Sequence, residues 1–181
     1  MKNNGQGRLI SNMTSYAALQ LVNMLVGLFL PRLYLAVYGS EVNGIISTAN
    51  SFISYFSYLE AGIGLTLIHA LFRPLAEHNT AQTNGILAYC QKQYRHISGL
   101  YFILVVALSL LFPLFSPSDA LSRWEFTSLV FVIGAYGALD FYTMAKFRVL
   151  LTADRKEYVI SNAYILAQLL RFCFVWLLLS F

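Results

Sequence analysis

The chain is predicted to be all-α, a polytopic transmembrane helix bundle with five spans and a cytoplasmic N-terminus. Three observations point there. Of 181 residues, 58% are hydrophobic and only 11% charged, too little polar surface to cover a soluble globule. Apolar windows of about 20 residues, the length that crosses the hydrocarbon at a rise of roughly 1.5 Å per residue, recur along the chain. Lysine and arginine collect in alternate connections. Net charge +4 and a pI near 9.1 therefore report topology rather than a nucleic-acid partner.

The spans are placed near residues 16–38, 45–72, 97–115, 126–145 and 158–181. Lys2 and Arg8 precede the first, whose apolar core is longer than the 7–15 residues of a secretory signal. A seven-residue turn, Tyr38-Gly39-Ser40-Glu41-Val42-Asn43-Gly44, joins it to the second, which Pro74 is expected to close. Between the second and third spans, Ile86, Cys90, Tyr94 and Ile97 recur at helical spacing, with Gln82, Gln91, Lys92 and Arg95 on other faces. Residues 81–96 thus read as an amphipathic helix on the cytoplasmic membrane surface or as a helical extension of the third span.

Orientation follows from the basic residues. Lys2, Arg8, Arg73, Lys92, Arg95, Lys146, Arg148, Arg155 and Lys156 fall on one side, and only Arg123 on the other. Because cytoplasmic loops are enriched in Lys and Arg, the N-terminus is expected inside.

The polar chemistry lies within the spans. At 100° per residue, Ser47, Ser51, Ser54, Tyr58, Ala61 and Gly64 form one stripe of the second span, with Asn50 and Ser57 beside it. Such a face is either a close-packed helix seam or the wall of a hydrated cavity. Glu60 projects on nearly the opposite side, among Phe52, Phe56, Ile63 and Leu67. An ionised carboxylate facing lipid at depth costs about 2.5–3.5 kcal/mol, so Glu60 needs a cationic partner, a proton, or a distortion at Gly62 and Gly64 that turns it inward. It is a charge-pair or coupling candidate, as is Asp140 on the fourth span, six residues before Lys146.

Arg171 lies about 13 residues into the fifth span, with Ser161, Tyr164 and Gln168 on its face. A guanidinium stays charged at any relevant pH, and its planar fork suits phosphate or carboxylate. Arg171, Tyr164 and Gln168 are accordingly candidates for lining a substrate cavity, with Asn50, Ser54 and Tyr58 on the second span. Arg32, just after Pro31 near the outer end of the first span, joins them; a structural pair of Arg171 with Asp140 or Glu60 is the alternative.

Cys90 and Cys173 have no metal spacing, and His69, His78 and His96 are unclustered. With no nucleotide loop, nucleophile elbow or paired carboxylates on one face, the chain is expected to be no enzyme and to hold neither metal nor cofactor.

Several segments together resemble bacterial oligosaccharide flippases, the polysaccharide-transporter branch of the multidrug/oligosaccharidyl-lipid/polysaccharide exporter superfamily. They are Tyr38-Gly39-Ser40-Glu41-Val42-Asn43-Gly44, Tyr55-Phe56-Ser57-Tyr58-Leu59-Glu60-Ala61-Gly62-Ile63-Gly64, Arg73-Pro74-Leu75-Ala76-Glu77, Lys92-Gln93-Tyr94-Arg95 and Leu150-Leu151-Thr152-Ala153-Asp154-Arg155-Lys156-Glu157-Tyr158. The resemblance implies transport of an undecaprenyl-diphosphate-linked oligosaccharide across the bacterial inner (cytoplasmic) membrane by alternating access. Its implied partners are that lipid-linked oligosaccharide, membrane lipid and the polysaccharide polymerisation machinery, with no nucleic acid. Family members have about twelve to fourteen helices, so residues 1–181 are expected to be the N-terminal part of one transporter domain, cut short at the C-terminus. A cation-coupled multidrug-type exporter and a small membrane scaffold subunit are the rival expectations.

Overall fold

The computed structural model describes residues 2–60, 62–115 and 121–180. They form six α-helices and one 3-10 turn, with no strand among them: α1 (Lys2–Phe56), a 3-10 turn (Ser57–Glu60), α2 (Ile63–Ala76), α3 (Thr80–Phe115), α4 (Arg123–Thr143), α5 (Ala145–Ala153) and α6 (Glu157–Ser180). Four of them, α1, α3, α4 and α6, are long and apolar enough to cross a membrane.

At 55 residues α1 has more than twice the residues that one crossing of the hydrocarbon takes, so it is no single span. It breaks at Gly39, whose φ of 78° and ψ of 178° only glycine adopts without steric cost. The turn expected over Tyr38–Gly44 is thereby reduced to this one residue. Ser40, Glu41 and Asn43 stay helical because Val42 and Ile45 are buried at helical spacing and hold the backbone in register.

The second expected span, 45–72, is also interrupted. Helix α1 stops at Phe56, the chain tightens into the 3-10 turn, and Gly62 (φ 89°) reverses the backbone before α2 begins. Pro74 does not close this segment. It lies buried inside α2, which ends two residues later, where His78 takes a left-handed φ of 54° and the Asn79 amide donates to the Pro74 carbonyl.

Helix α3 runs without interruption from Thr80 to Phe115. Residues 81–96 are therefore its N-terminal part rather than a separate surface helix. Its 36 residues make about 54 Å, well beyond a single crossing. The start of α4 is fixed by a reciprocal cap: the Glu125 amide donates to Ser122 Oγ, and the Ser122 amide donates to the Glu125 carboxylate.

The chain divides into two compact units, residues 40–150 and residues 1–39 with 151–181. In the first, α3 and α4 form an antiparallel pair whose backbones approach closely. Val105 packs where Gly134 has no side chain, Tyr101 packs over Gly137, and Ser98 Oγ donates to the Ala138 carbonyl at 2.7 Å. The segment after Gly39 lies on this pair through Ile45 and Ala49, which share a core with Phe126 and Val130. Edge-to-face rings continue the contact: Phe52 on Phe112, Phe112 on Phe126, and Phe56 on Tyr101.

In the second unit, the first part of α1 pairs with α6, and the two run parallel. Asn12 Nδ2 donates to the Arg155 carbonyl and Asn12 Oδ1 accepts from the Tyr158 amide; further along, Gln168 Nε2 donates to Asn23 Oδ1 at 2.9 Å, and Phe29 meets Phe172. Each successive contact moves in the same direction on both helices.

Candidate functional site

The break at Gly62 positions the main charged cluster. Val42, Ile45 and Ala49 are buried along one face of the segment after Gly39, and Glu60 lies at the end of the 3-10 turn that follows it. Tyr94 of α3 donates its phenolic O–H to Glu60 Oε1 at 2.5 Å. Gly64, one turn on, leaves room for that contact, since a Cβ there would sit 3.1 Å from the Tyr94 hydroxyl. Arg148 of α5 closes the cluster. Its Nη1 donates to Asp140 Oδ2 at 2.5 Å, and its Nη2 lies 3.9 Å from Glu60 Oε2.

One guanidinium thus faces two carboxylates, with Asp140 its tighter partner and Glu60 held chiefly by Tyr94. All three charged side chains are 22–31% exposed, enough shielding from solvent for their attraction to exceed that of a surface pair. Phe141 stacks on Tyr94 and lies 5.9 Å from the Arg148 guanidinium, so the cluster has an aromatic floor. Beside it, Lys146 Nζ donates to Gln91 Oε1 at 3.1 Å. Chemically, the arrangement holds two carboxylates in a low-polarity setting and ties three helices at a backbone break.

The sequence candidates fall into separate groups. Glu60 and Asp140 come together, through Arg148 rather than Arg171. Gln168 meets Asn23, and Ser161 is buried in the α6 face that continues through half-buried Tyr164. Arg171 and Arg32 are exposed, and neither forms an ion pair with a described residue. Asn50, Ser54 and Tyr58 are exposed along with Ser47, Ser51 and Ser57, so the described helices do not cover the serine stripe. Ser51 Oγ donates to the Ser47 carbonyl and Ser54 Oγ to the Asn50 carbonyl, satisfying both hydroxyls within their own helix.

Sequence reasoning missed Tyr94 and Arg148 as members of the cluster. Tyr94 was visible as part of the stripe with Cys90 and Ile97, and Arg148 only as a topology charge; neither pattern names Glu60 as a partner. Gln168 is a sequence candidate on the face of Arg171, but nothing in the sequence pairs it with Asn23, and nothing there singles out Asn12. Among the described residues no three His, Cys, Asp or Glu side chains are placed to share a metal ion.

These features define a helical membrane protein with a polar pair in one unit and a charged clamp in the other. No family model, curated protein or solved structure matches the chain.

Proposed function

We propose that the chain is part of a transporter that moves an undecaprenyl-diphosphate-linked oligosaccharide across the bacterial inner membrane. The observation that carries this reading is Arg171: a permanent cation midway along an apolar helix, exposed and in no ion pair with a described residue. A guanidinium at membrane depth is costly unless an anion or water meets it, and a diphosphate supplies the bidentate acceptors its fork fits. Arg32 adds a second cation on the partner helix of the same unit, and the Asn23–Gln168 bond places one polar contact in a seam otherwise lined by Val22, Val26, Phe29, Leu169 and Phe172. The polyprenyl tail remains in lipid while the charged headgroup and glycan follow the polar face. The motif resemblance described above supplies the substrate class.

Replacing Arg171 with alanine in the complete transporter is expected to reduce surface-polysaccharide export about tenfold or more, the worth of one charge-assisted contact, with normal membrane insertion. Lysine at the same position should restore part of it. Export at the unaltered level in the alanine variant removes Arg171 from the pathway.

The same reading carries five crossings and an inside N-terminus. The parallel run of α1's first part and α6 agrees with an odd number of crossings between them, while the inside N-terminus rests on the distribution of Lys and Arg alone. The segment from Ser40 to Ala76, α3 and α4 supply three. Cysteines introduced at Ser40 and Ser118 should then be labelled by an impermeant reagent from outside, and those at Asn79 and Asp154 only from inside; the reverse pattern overturns the topology.

The carboxylates do not favour a cation-coupled exporter. Glu60 and Asp140 are already engaged by Tyr94 and Arg148.

A further inference from the structure

We infer that Arg95 and Lys146, with Gln91 and Tyr142, form a binding site for the headgroup of an anionic membrane phospholipid at one end of the α3–α4 pair. The four side chains come from two antiparallel helical stretches in matching register. Lys146 Nζ donates to Gln91, and the Arg95 guanidinium lies 5.6 Å from the Tyr142 ring centroid. Gln91 and Arg95 are one turn apart on α3, and Tyr142 and Lys146 one turn apart across the α4–α5 junction. The two cross-helix contacts are therefore adjacent rungs of the pair, and each rung carries one cation, Lys146 on one and Arg95 on the next, so a single headgroup lying across both rungs meets both.

Depth places this quartet at a membrane boundary. Arg95 lies 20 residues before Phe115, so along an unbroken helix the two are about 30 Å apart, the thickness of the hydrocarbon. Helix α4, with 21 residues, spans about the same distance and delivers Tyr142 to the same level from the other direction. A tyrosine beside basic residues at that level is the usual composition of an interfacial belt.

Charge selects the ligand. Lys92, Arg95, Lys146 and Arg148 are four cations in this region against two carboxylates, Asp140, which pairs with Arg148, and Glu60, which Tyr94 holds with Arg148 3.9 Å away. Neither Arg95 nor Lys146 has an acidic partner within 4 Å among the described residues. Arg95 and Tyr142 are exposed, so the site opens away from the helix pair toward the surrounding lipid. A phosphodiester with net negative charge is stabilised there, whereas a zwitterionic headgroup brings its own ammonium into repulsion with both cations. The gain is a sum of short-range attractions of about the size found for basic residues at an anionic surface. This inference is independent of the transport reading and needs only that α3 and α4 cross the membrane.

The test is native mass spectrometry of the full chain released from mixed phosphatidylcholine and phosphatidylglycerol bilayers, reading which lipid it retains. The unaltered protein should retain phosphatidylglycerol in preference to phosphatidylcholine. The double variant Arg95→Gln, Lys146→Gln should lose that preference by about tenfold, while Arg95→Lys, Lys146→Arg keeps it. Retained helical content by circular dichroism in both variants excludes misfolding as the cause. Arg123→Gln, at the other end of α4, should leave the preference unchanged; an equal loss there makes the effect one of overall charge and overturns the site. An undiminished preference in the glutamine double variant, or no preference in the unaltered protein, also overturns it. Added inorganic phosphate should not displace the lipid, and displacement would assign the site to a soluble phosphate compound instead.

Discussion

Arg148→Met is expected to destabilise the unit formed by residues 40–150 by about 2–4 kcal/mol, the cost of leaving shielded carboxylates without their cation, reduced for their partial exposure. Methionine keeps much of the arginine stem, so packing against Phe141 survives and the loss reports charge. Asp140 then has lost its 2.5 Å partner and Glu60 retains only the Tyr94 hydroxyl. Neutralising both carboxylates in the same background, as Glu60→Gln and Asp140→Asn, should recover most of the stability. The measurement is reversible unfolding in mixed micelles with increasing sodium dodecyl sulfate, analysed as a cycle. A methionine variant as stable as the parent, or a triple variant no better than the single, would show that the three charges do not act as a unit.

The second large effect concerns the α3–α4 seam. Gly134→Ala should cost about 1–3 kcal/mol through overpacking. A Cβ at residue 134 would lie 2.5 Å from Val105 Cγ1 and 2.8 Å from Cγ2, and Val105 is fully buried with no room to turn aside. Trimming the opposing residue provides the control. With Val105→Ala the nearest remaining atom is Cβ at 3.2 Å, a separation that a small backbone shift relieves, so the double variant should be more stable than Gly134→Ala alone. If Val105→Ala merely adds its own cavity cost to the glycine variant, the two positions are not in steric contact. Gly137 is the harsher site, because a Cβ would meet the buried Tyr101 ring at its hydroxyl and at Cζ, 2.7 Å away.

The membrane class was legible because hydropathy is additive along the chain: α3, α4 and α6 each cover an apolar window regardless of what they pack against. Boundaries depended on less local facts. Gly39-Ser40-Glu41 has the composition of a turn, yet burial of Val42 and Ile45 keeps all but Gly39 helical. Gly62 was readable as a possible distortion, but whether a glycine bends a helix is decided by its neighbours, here Tyr94 and Arg148 holding Glu60. The wheel placed Glu60 opposite the serine stripe from its 100° period alone. Its partners were beyond that reach, since they come from α3 and α5 and depend on how those helices pair. Asp140 and Glu60 converge for the same reason, a packing outcome that no spacing within either helix encodes.

The serine stripe has a mechanical consequence. Ser51 and Ser54 return their hydroxyls to carbonyls of their own helix, so a helix lying against that face need not supply them with hydrogen-bond partners. Displacing such a neighbour along the stripe would break neither of those bonds and would meet mostly small side chains. Such a face presents polar atoms while asking few new hydrogen bonds of whatever lies against it.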